Sequence, residues 1–208
     1  MRSGHVKVDA LLPAAFAAVP GPPGLAAAYI TAAQGSGMKG DTIYIPTSFD
    51  IGDLFQRSQV IHELQHARDD QAAAGPHIQF RPANQLEENG YRAQGRFLLE
   101  QLISLAGADR AAAVARLAGQ VNALVLLGMI IETLSDRPRF EPLIAAIAAA
   151  SHPPVAAADV TALLNRGQAA LVTMLRTRIT ATYGMTPGQA GVVEGLSGES
   201  LANWIFRT

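Results

Sequence analysis

Residues 53–74 read DLFQRSQVIHELQHARDDQAAA, and they decide most of what the sequence predicts. Asp53 is a favoured helix N-cap, and Gly75-Pro76 is a typical end of a helix. The apolar positions between them recur at helical spacing, and they are Leu54, Ile61, Leu64 and Ala67. We therefore predict one long helix over this segment.

This helix contains the sequence HELQH, which matches the pattern H-E-x-x-H and begins at His62. Residues four apart lie one above the other on a helix, so the imidazoles of His62 and His66 can reach the same metal ion. Glu63 lies beside that ion, where its carboxylate can accept a proton from a bound water. Asp69 and Asp70 follow His66 by three and four residues, so either is placed to orient that imidazole.

Two histidines need a third ligand, because a catalytic zinc site normally has three protein ligands and one open position. The chain has no cysteine, so every ligand must offer nitrogen or oxygen. The metzincin pattern requires a histidine six residues after the second one, and that position is Ala72. The aspzincin pattern requires an aspartate eleven residues after it, and that position is His77. The remaining source of a third ligand is a carboxylate on a following helix.

The next predicted helix, residues 84–105, supplies two adjacent carboxylates, Glu87 and Glu88. They are about 100° apart around the helix, so only one of them should face the metal. The sequence E-x-x-G-Y that starts at Glu87 resembles the third-ligand motif of the gluzincin metallopeptidases. In that motif a small residue stands three positions after the ligand, and here it is Gly90. The resemblance favours Glu87 as the third ligand and leaves Glu88 as the alternative.

The resemblance covers roughly residues 41–100 and implies a zinc metallopeptidase with an α+β, zincin-like fold and one Zn²⁺ ion. It further implies that the ion activates a water, that Glu63 is the general base, and that the substrate is a peptide or protein. Tyr91 stands where many members have a supporting aspartate. In this family the strand ahead of the metal helix, here residues 42–45, binds extended substrate at a sheet edge. The donor to the oxyanion is left open among Tyr91, Tyr183, His77 and His152.

The rest of the chain predicts a small N-terminal sheet and a mostly helical C-terminal lobe. Residues 25–33 and 41–46 indicate a hairpin, and Pro46 suits an edge strand because proline cannot donate to a sheet ladder. A short helix or arm is expected ahead of the breaker PGPPG at residues 20–24. Later helices are expected over 110–134, 138–150, 156–183 and 199–206. The predicted organisation is a zincin-like domain over 1–108 and a helical lobe over 109–208, packed as part of the same domain.

The composition limits the kinds of partner that the sequence predicts. A net charge of −1, from 16 basic and 17 acidic residues, predicts no nucleic-acid partner. The most apolar run, residues 117–134, contains Gln120, Asn122 and Glu132, so it predicts a buried helix and not a membrane span. The N-terminus lacks a clear signal-peptide pattern. Localisation stays open between the cytoplasm and export by a non-classical route, and the oligomeric state is also open.

Two other functions compete with the peptidase. One is a catalytically inactive zincin fold, and the other is a helical protein-interaction module built on residues 110–183. A binding module should hold no stoichiometric metal, and its affinity for the partner should survive the substitution His62→Ala. A di-iron bundle needs a second E-x-x-H, and this chain has only the one formed by Glu63 and His66.

Overall fold

The computed structural model describes residues 6–12, 15, 26–30, 41–73, 83–151 and 154–185. Their strands and helices form a mixed α+β arrangement in which helix dominates. In chain order the elements are β1 (Lys7–Leu11), β2 (Ala28–Ile30), β3 (Thr42–Pro46), α1 (Leu54–Ala73), α2 (Ala83–Ser104), α3 (Gly107–Ala118), α4 (Ala123–Thr133), α5 (Arg137–Ala150), α6 (Ala157–Leu164) and α7 (Gln168–Thr182).

The three strands form one sheet in the order β1-β3-β2. The predicted hairpin is confirmed, because β2 pairs antiparallel with β3 and Tyr29 lies opposite Ile43. Two other expectations are wrong. Residues 7–11 form a strand parallel to β3 where a helix or arm was expected, and β3 is therefore central and not an edge strand. Pro46 is tolerated there because it ends the strand.

The predicted helices over 53–74, 84–105 and 138–150 are confirmed as α1, α2 and α5. The helix expected over 110–134 is wrong, because α3 ends at Ala118 and α4 starts at Ala123. Asn122 causes the second start, since its side chain accepts hydrogen bonds from two backbone N–H groups of α4.

The helix expected over 156–183 is also two helices, α6 and α7, separated at Gly167 with φ of 79°. Glycine adopts this left-handed conformation without the steric cost that a side chain would impose. The predictions for residues 20–24 and 199–206 lie outside the described residues. No helix within the described ranges is long and apolar enough to cross a membrane.

Helix α2 is the central element, because both α1 and α4 pack against it. Gly95 of α2 and Gly128 of α4 permit these two helices to approach closely. A Cβ on Gly95 would lie 2.5 Å from the backbone nitrogen of Met129, and a Cβ on Gly128 would lie 2.3 Å from the backbone oxygen of Tyr91. The large core is built around buried side chains of α2, α4, α5 and α7 that include Leu98, Leu102, Met129, Phe140, Ile144 and Leu175.

The sheet packs against α1 through β2 and β3. Tyr29 and Ile43 form a small apolar cluster with Ala27 and with Ala67 of α1. This cluster fixes β2 beside the H-E-x-x-H turn of α1, and Glu87 of α2 contacts the two histidines of the same turn. The boundary proposed at residue 108 stays a prediction.

Candidate metal centre

Helix α1 presents the first three groups of the site. His62 and His66 lie one turn apart with ring centroids 4.7 Å from each other. His62, Glu63 and His66 offer ligand atoms that all lie within 4.8 Å of one another. Only 7% of His62 and 3% of Glu63 are exposed. The i, i+4 geometry expected from the sequence therefore converges on a buried point and not on an open helix face.

Glu87 of α2 closes the site from the other side. Its Oε2 lies 3.3 Å from Nε2 of His62, and its Oε1 lies 3.2 Å from Nε2 of His66. The residue is 1% exposed. One carboxylate thus contacts both imidazoles, and it is the one that the resemblance favours over Glu88.

Glu88 faces a different direction although it is also buried. Its carboxylate accepts hydrogen bonds from Arg176 Nε of α7 at 2.6 Å and from Arg92 Nη1 at 3.2 Å. Arg92 in turn donates to Glu132 of α4 at 2.7 Å. These ion pairs fix α2 in rotation, because a Glu88 bound to α7 leaves Glu87, about 100° away, directed at α1.

The donor set fits a cation. Nε2 of His66 and Oε2 of Glu87 are buried, and their contacts of 3.2 and 3.3 Å lack the geometry of a hydrogen bond, which is costly for polar atoms. In tetrahedral coordination by imidazole nitrogen and carboxylate oxygen at zinc bond lengths, neighbouring ligand atoms are about 3.4 Å apart. The separations of 3.2 and 3.3 Å are close to that spacing, and each runs to a different oxygen of Glu87. A zinc ion would satisfy both unpartnered atoms at once.

The electrostatics also favour a positive charge at this point. Burial lowers the pKa of His66, but the Glu87 carboxylate outweighs it and raises that pKa to about 9. Burial opposes ionisation of Glu87 as well, yet the two imidazoles hold its pKa well below the ordinary value. A proton on His66 and a metal ion are therefore alternatives for balancing the same carboxylate.

Glu63 is held by the sheet. Its Oε2 accepts a hydrogen bond of 2.9 Å from the backbone N–H of Tyr29, in β2. Burial raises the pKa of Glu63, and the nearby imidazoles act against that rise. The strand beside the base is thus β2, whereas the sequence placed the neighbouring strand at 42–45. The sequence does not predict the role of Tyr29, because no local pattern shows that its backbone N–H will bond to a side chain 34 residues later.

The two aspartates that follow His66 accept hydrogen bonds from side chains other than that imidazole. Asp69 accepts hydrogen bonds from Gln65 at 3.1 Å and from Asn89 at 2.9 Å, and it also contributes to raising the pKa of His66. Asp70 accepts a bond of 3.1 Å from the Tyr29 hydroxyl. Asp69 therefore joins α1 to α2 within the charge field of the site, while Asp70 joins α1 to β2.

Tyr91 and Tyr183 form a pair at the site. Their hydroxyl oxygens are 2.8 Å apart, and the Tyr91 ring meets the His62 ring edge-on at a centroid distance of 4.6 Å. Burial raises the pKa of both phenols, and the negative charges of Glu87 and Glu63 add to that rise. Both hydroxyls stay protonated at neutral pH and are able to donate hydrogen bonds. The other predicted donors, His77 and His152, lie outside the described residues.

Gly90 provides the space in which His62 lies. A Cβ at this position would lie 2.6 Å from Nε2, 2.7 Å from Cε1 and 2.8 Å from Cδ2 of His62. The imidazole itself has little room to move, because it contacts both Tyr91 and His66. The small residue expected from the resemblance thus lies directly against the His62 ring.

We expect Gly90→Ala to lower zinc affinity about ten- to a hundredfold, as substitutions that misplace a ligand do. Alanine favours helix, so the chain should still fold. Competition with a chromophoric chelator measures the affinity. Gly119→Ala is the control, since its new Cβ would lie 3.6 Å from the nearest atom outside its chain neighbours, the backbone oxygen of Arg116. Wild-type zinc affinity in Gly90→Ala would contradict the steric argument.

Comparison with known proteins does not assign the chain to a family. It matches no protein-family model, and it has no significant match among curated proteins or solved structures. Its function therefore has to follow from the chemistry of the site.

Proposed function

We propose that this protein is a zinc-dependent metallopeptidase with a zincin-like fold and a gluzincin-type ligand set, acting on a peptide or protein. The proposal rests on one observation above all. Glu87, on a separate helix, contacts both imidazoles of the H-E-x-x-H motif through atoms that include two with no hydrogen-bond partner. The ligands would be His62, His66 and Glu87.

Zinc at these ligands would supply Lewis acidity, polarising a scissile carbonyl and lowering the pKa of a water. Glu63 lies on the same helix turn and accepts the proton of that water. Its pKa, raised by burial, brings it closer to the working range of a general acid–base group than an exposed glutamate would be. The Tyr29 N–H bound to Oε2 holds the carboxylate in place. The proton is then delivered to the leaving amine.

The Tyr91–Tyr183 pair supports the developing oxyanion in this proposal. One hydroxyl of the pair donates to the other, which leaves the second proton free for the substrate. Donors preset in a buried site stabilise a developing charge more than donors in water do. The two residues come from α2 and from the end of α7, so the C-terminal helices contribute to the chemistry.

The metal is the first test. We expect elemental analysis of the purified full chain to find about one zinc per chain, since three protein ligands and one open position make a complete catalytic site. His66→Ala is expected to reduce the bound zinc to a small fraction, and Arg178→Ala, an exposed change on α7, is expected to leave it unchanged. A wild-type protein with no affinity for zinc would rule out the proposal.

A further inference from the structure

Strand β1 is one edge of the sheet. Among the strands that the structure describes, its only neighbour is β3. The backbone N–H of Lys7 donates to the carbonyl of Asp41 at 3.0 Å, and the carbonyl of Leu11 accepts from the residue after β3 at 2.7 Å. Because successive residues of a strand alternate, Val8 and Ala10 direct their N–H and C=O groups away from β3. Such a row of outward backbone groups is a template for pairing with another strand.

The side chains of β1 are open to solvent as well. Val8 is 59% exposed, although its register partner in β3, Ile43, is fully buried. Ile43 packs against Ala67 of α1, whereas Val8 lies one strand further from that helix. Ala10 is also exposed. A strand added beside β1 would therefore cover apolar surface in addition to pairing backbone groups.

The charges of β1 are arranged to pair with a second copy of the same strand. Lys7 and Asp9 are two residues apart, so their side chains lie on one face of the strand and Val8 lies on the other. A second copy, antiparallel and related by a two-fold axis at Val8, would place each Lys7 directly opposite Asp9 of the other copy. In these positions cross-strand side chains approach each other most closely, and opposite charges stabilise the pair.

Other registers lack this match. An axis at Asp9 would place two carboxylates opposite each other, and an axis at Lys7 would do the same with two ammonium groups. An axis at Ala10 would leave both kinds of charge opposite uncharged residues. With the axis at Val8, this residue exchanges both backbone hydrogen bonds with its symmetry mate, and Ala10 pairs with Val6 of the other copy.

We propose that β1 forms a two-fold symmetric dimer with a second copy of this chain, antiparallel across Val8, in which Lys7 of each copy binds Asp9 of the other. The two three-stranded sheets would then continue into each other. The proposed base Glu63 is bonded to β2, at the other edge of the sheet. The dimer therefore uses an edge separate from the metal centre and does not depend on the peptidase proposal.

Sedimentation of the full chain over a concentration series that reaches the millimolar range tests the dimer. We expect a reversible monomer–dimer equilibrium in the micromolar range, because a single pair of short strands buries little area. Lys7→Asp and Asp9→Lys should each raise the dissociation constant at least about tenfold, because each replaces ion pairs by like-charge pairs. An equal mixture of the two variants should restore the dimer, because the acidic strand of one then faces the basic strand of the other. A wild type that stays monomeric, or a mixture that associates no better than its components, overturns the proposal.

Single cysteine variants test the register, since the chain has no cysteine of its own. The two Val8 Cα atoms would be about 5.5 Å apart, within the range that a disulfide spans. The two Ala10 Cα atoms would be about 14 Å apart. Under mild oxidation Val8→Cys should therefore form a covalent dimer, and the exposed control Ala10→Cys should stay largely monomeric. Equal or faster cross-linking of Ala10→Cys overturns the register. Zinc content should be the same in all these variants, because β1 supplies none of the proposed ligands, so failure here is distinct from failure of the peptidase proposal.

Discussion

Glu63→Gln is expected to keep zinc and to lower peptide hydrolysis by about 10² to 10⁴, the usual contribution of a general base. The amide oxygen of glutamine can still accept the Tyr29 N–H, so the position of the side chain should be kept. Hydrolysis of a mixed peptide library, followed by mass spectrometry, provides the measurement whatever sequence the protein cleaves. Zinc content of the same sample provides the control.

The stability of the metal-free variant gives a second readout. The pKa of Glu63 in the folded protein is raised by burial, so ionisation of this carboxyl opposes folding once the pH exceeds its unfolded value. Removing the charge should therefore leave the metal-free fold at least as stable at neutral pH. Undiminished cleavage by Glu63→Gln, with zinc still bound, would exclude Glu63 as the base.

Glu87→Gln and Glu88→Gln are expected to separate the two adjacent carboxylates. Loss of the anionic ligand in Glu87→Gln should weaken zinc binding by about a hundredfold or more. Glu88→Gln should retain about one zinc per folded chain, because the Glu88 carboxylate is bound to Arg92 and Arg176. Elemental analysis of folded material, separated by gel filtration, makes the comparison.

Stability alone does not distinguish these two variants, since each removes a buried carboxylate with a partner. In Glu88→Gln one acceptor oxygen remains, but Arg176 and Arg92 lose the negative charge that they bind, and only Arg92 keeps another carboxylate, Glu132. We expect a loss of about 1–3 kcal/mol in the free energy of unfolding. The zinc content of the folded fraction is therefore the deciding quantity. Zinc lost from Glu88→Gln and kept in Glu87→Gln would reverse the proposed ligand assignment.

Local patterns predicted the helices well and the breaks between them less well. The extents of α1 and α2 follow from apolar spacing and from the Gly-Pro pair after residue 74. The break between α3 and α4 was missed, although Asn122 is a good N-cap, because apolar spacing continues across it. The sequence did not predict the order of the strands. Strand β1 pairs with a strand 35 residues away, and that partner is selected by tertiary packing and not by a local pattern.

The sequence by itself determined that His62, Glu63 and His66 share one helix turn, because helical geometry is local and independent of the rest of the chain. It also supplied two candidate carboxylates on the next helix. Only the tertiary structure turned Glu87 toward the imidazoles and Glu88 toward Arg176 of α7. That choice depends on the rotation of α2 about its axis, which is set by close packing and ion pairs between segments far apart in the chain.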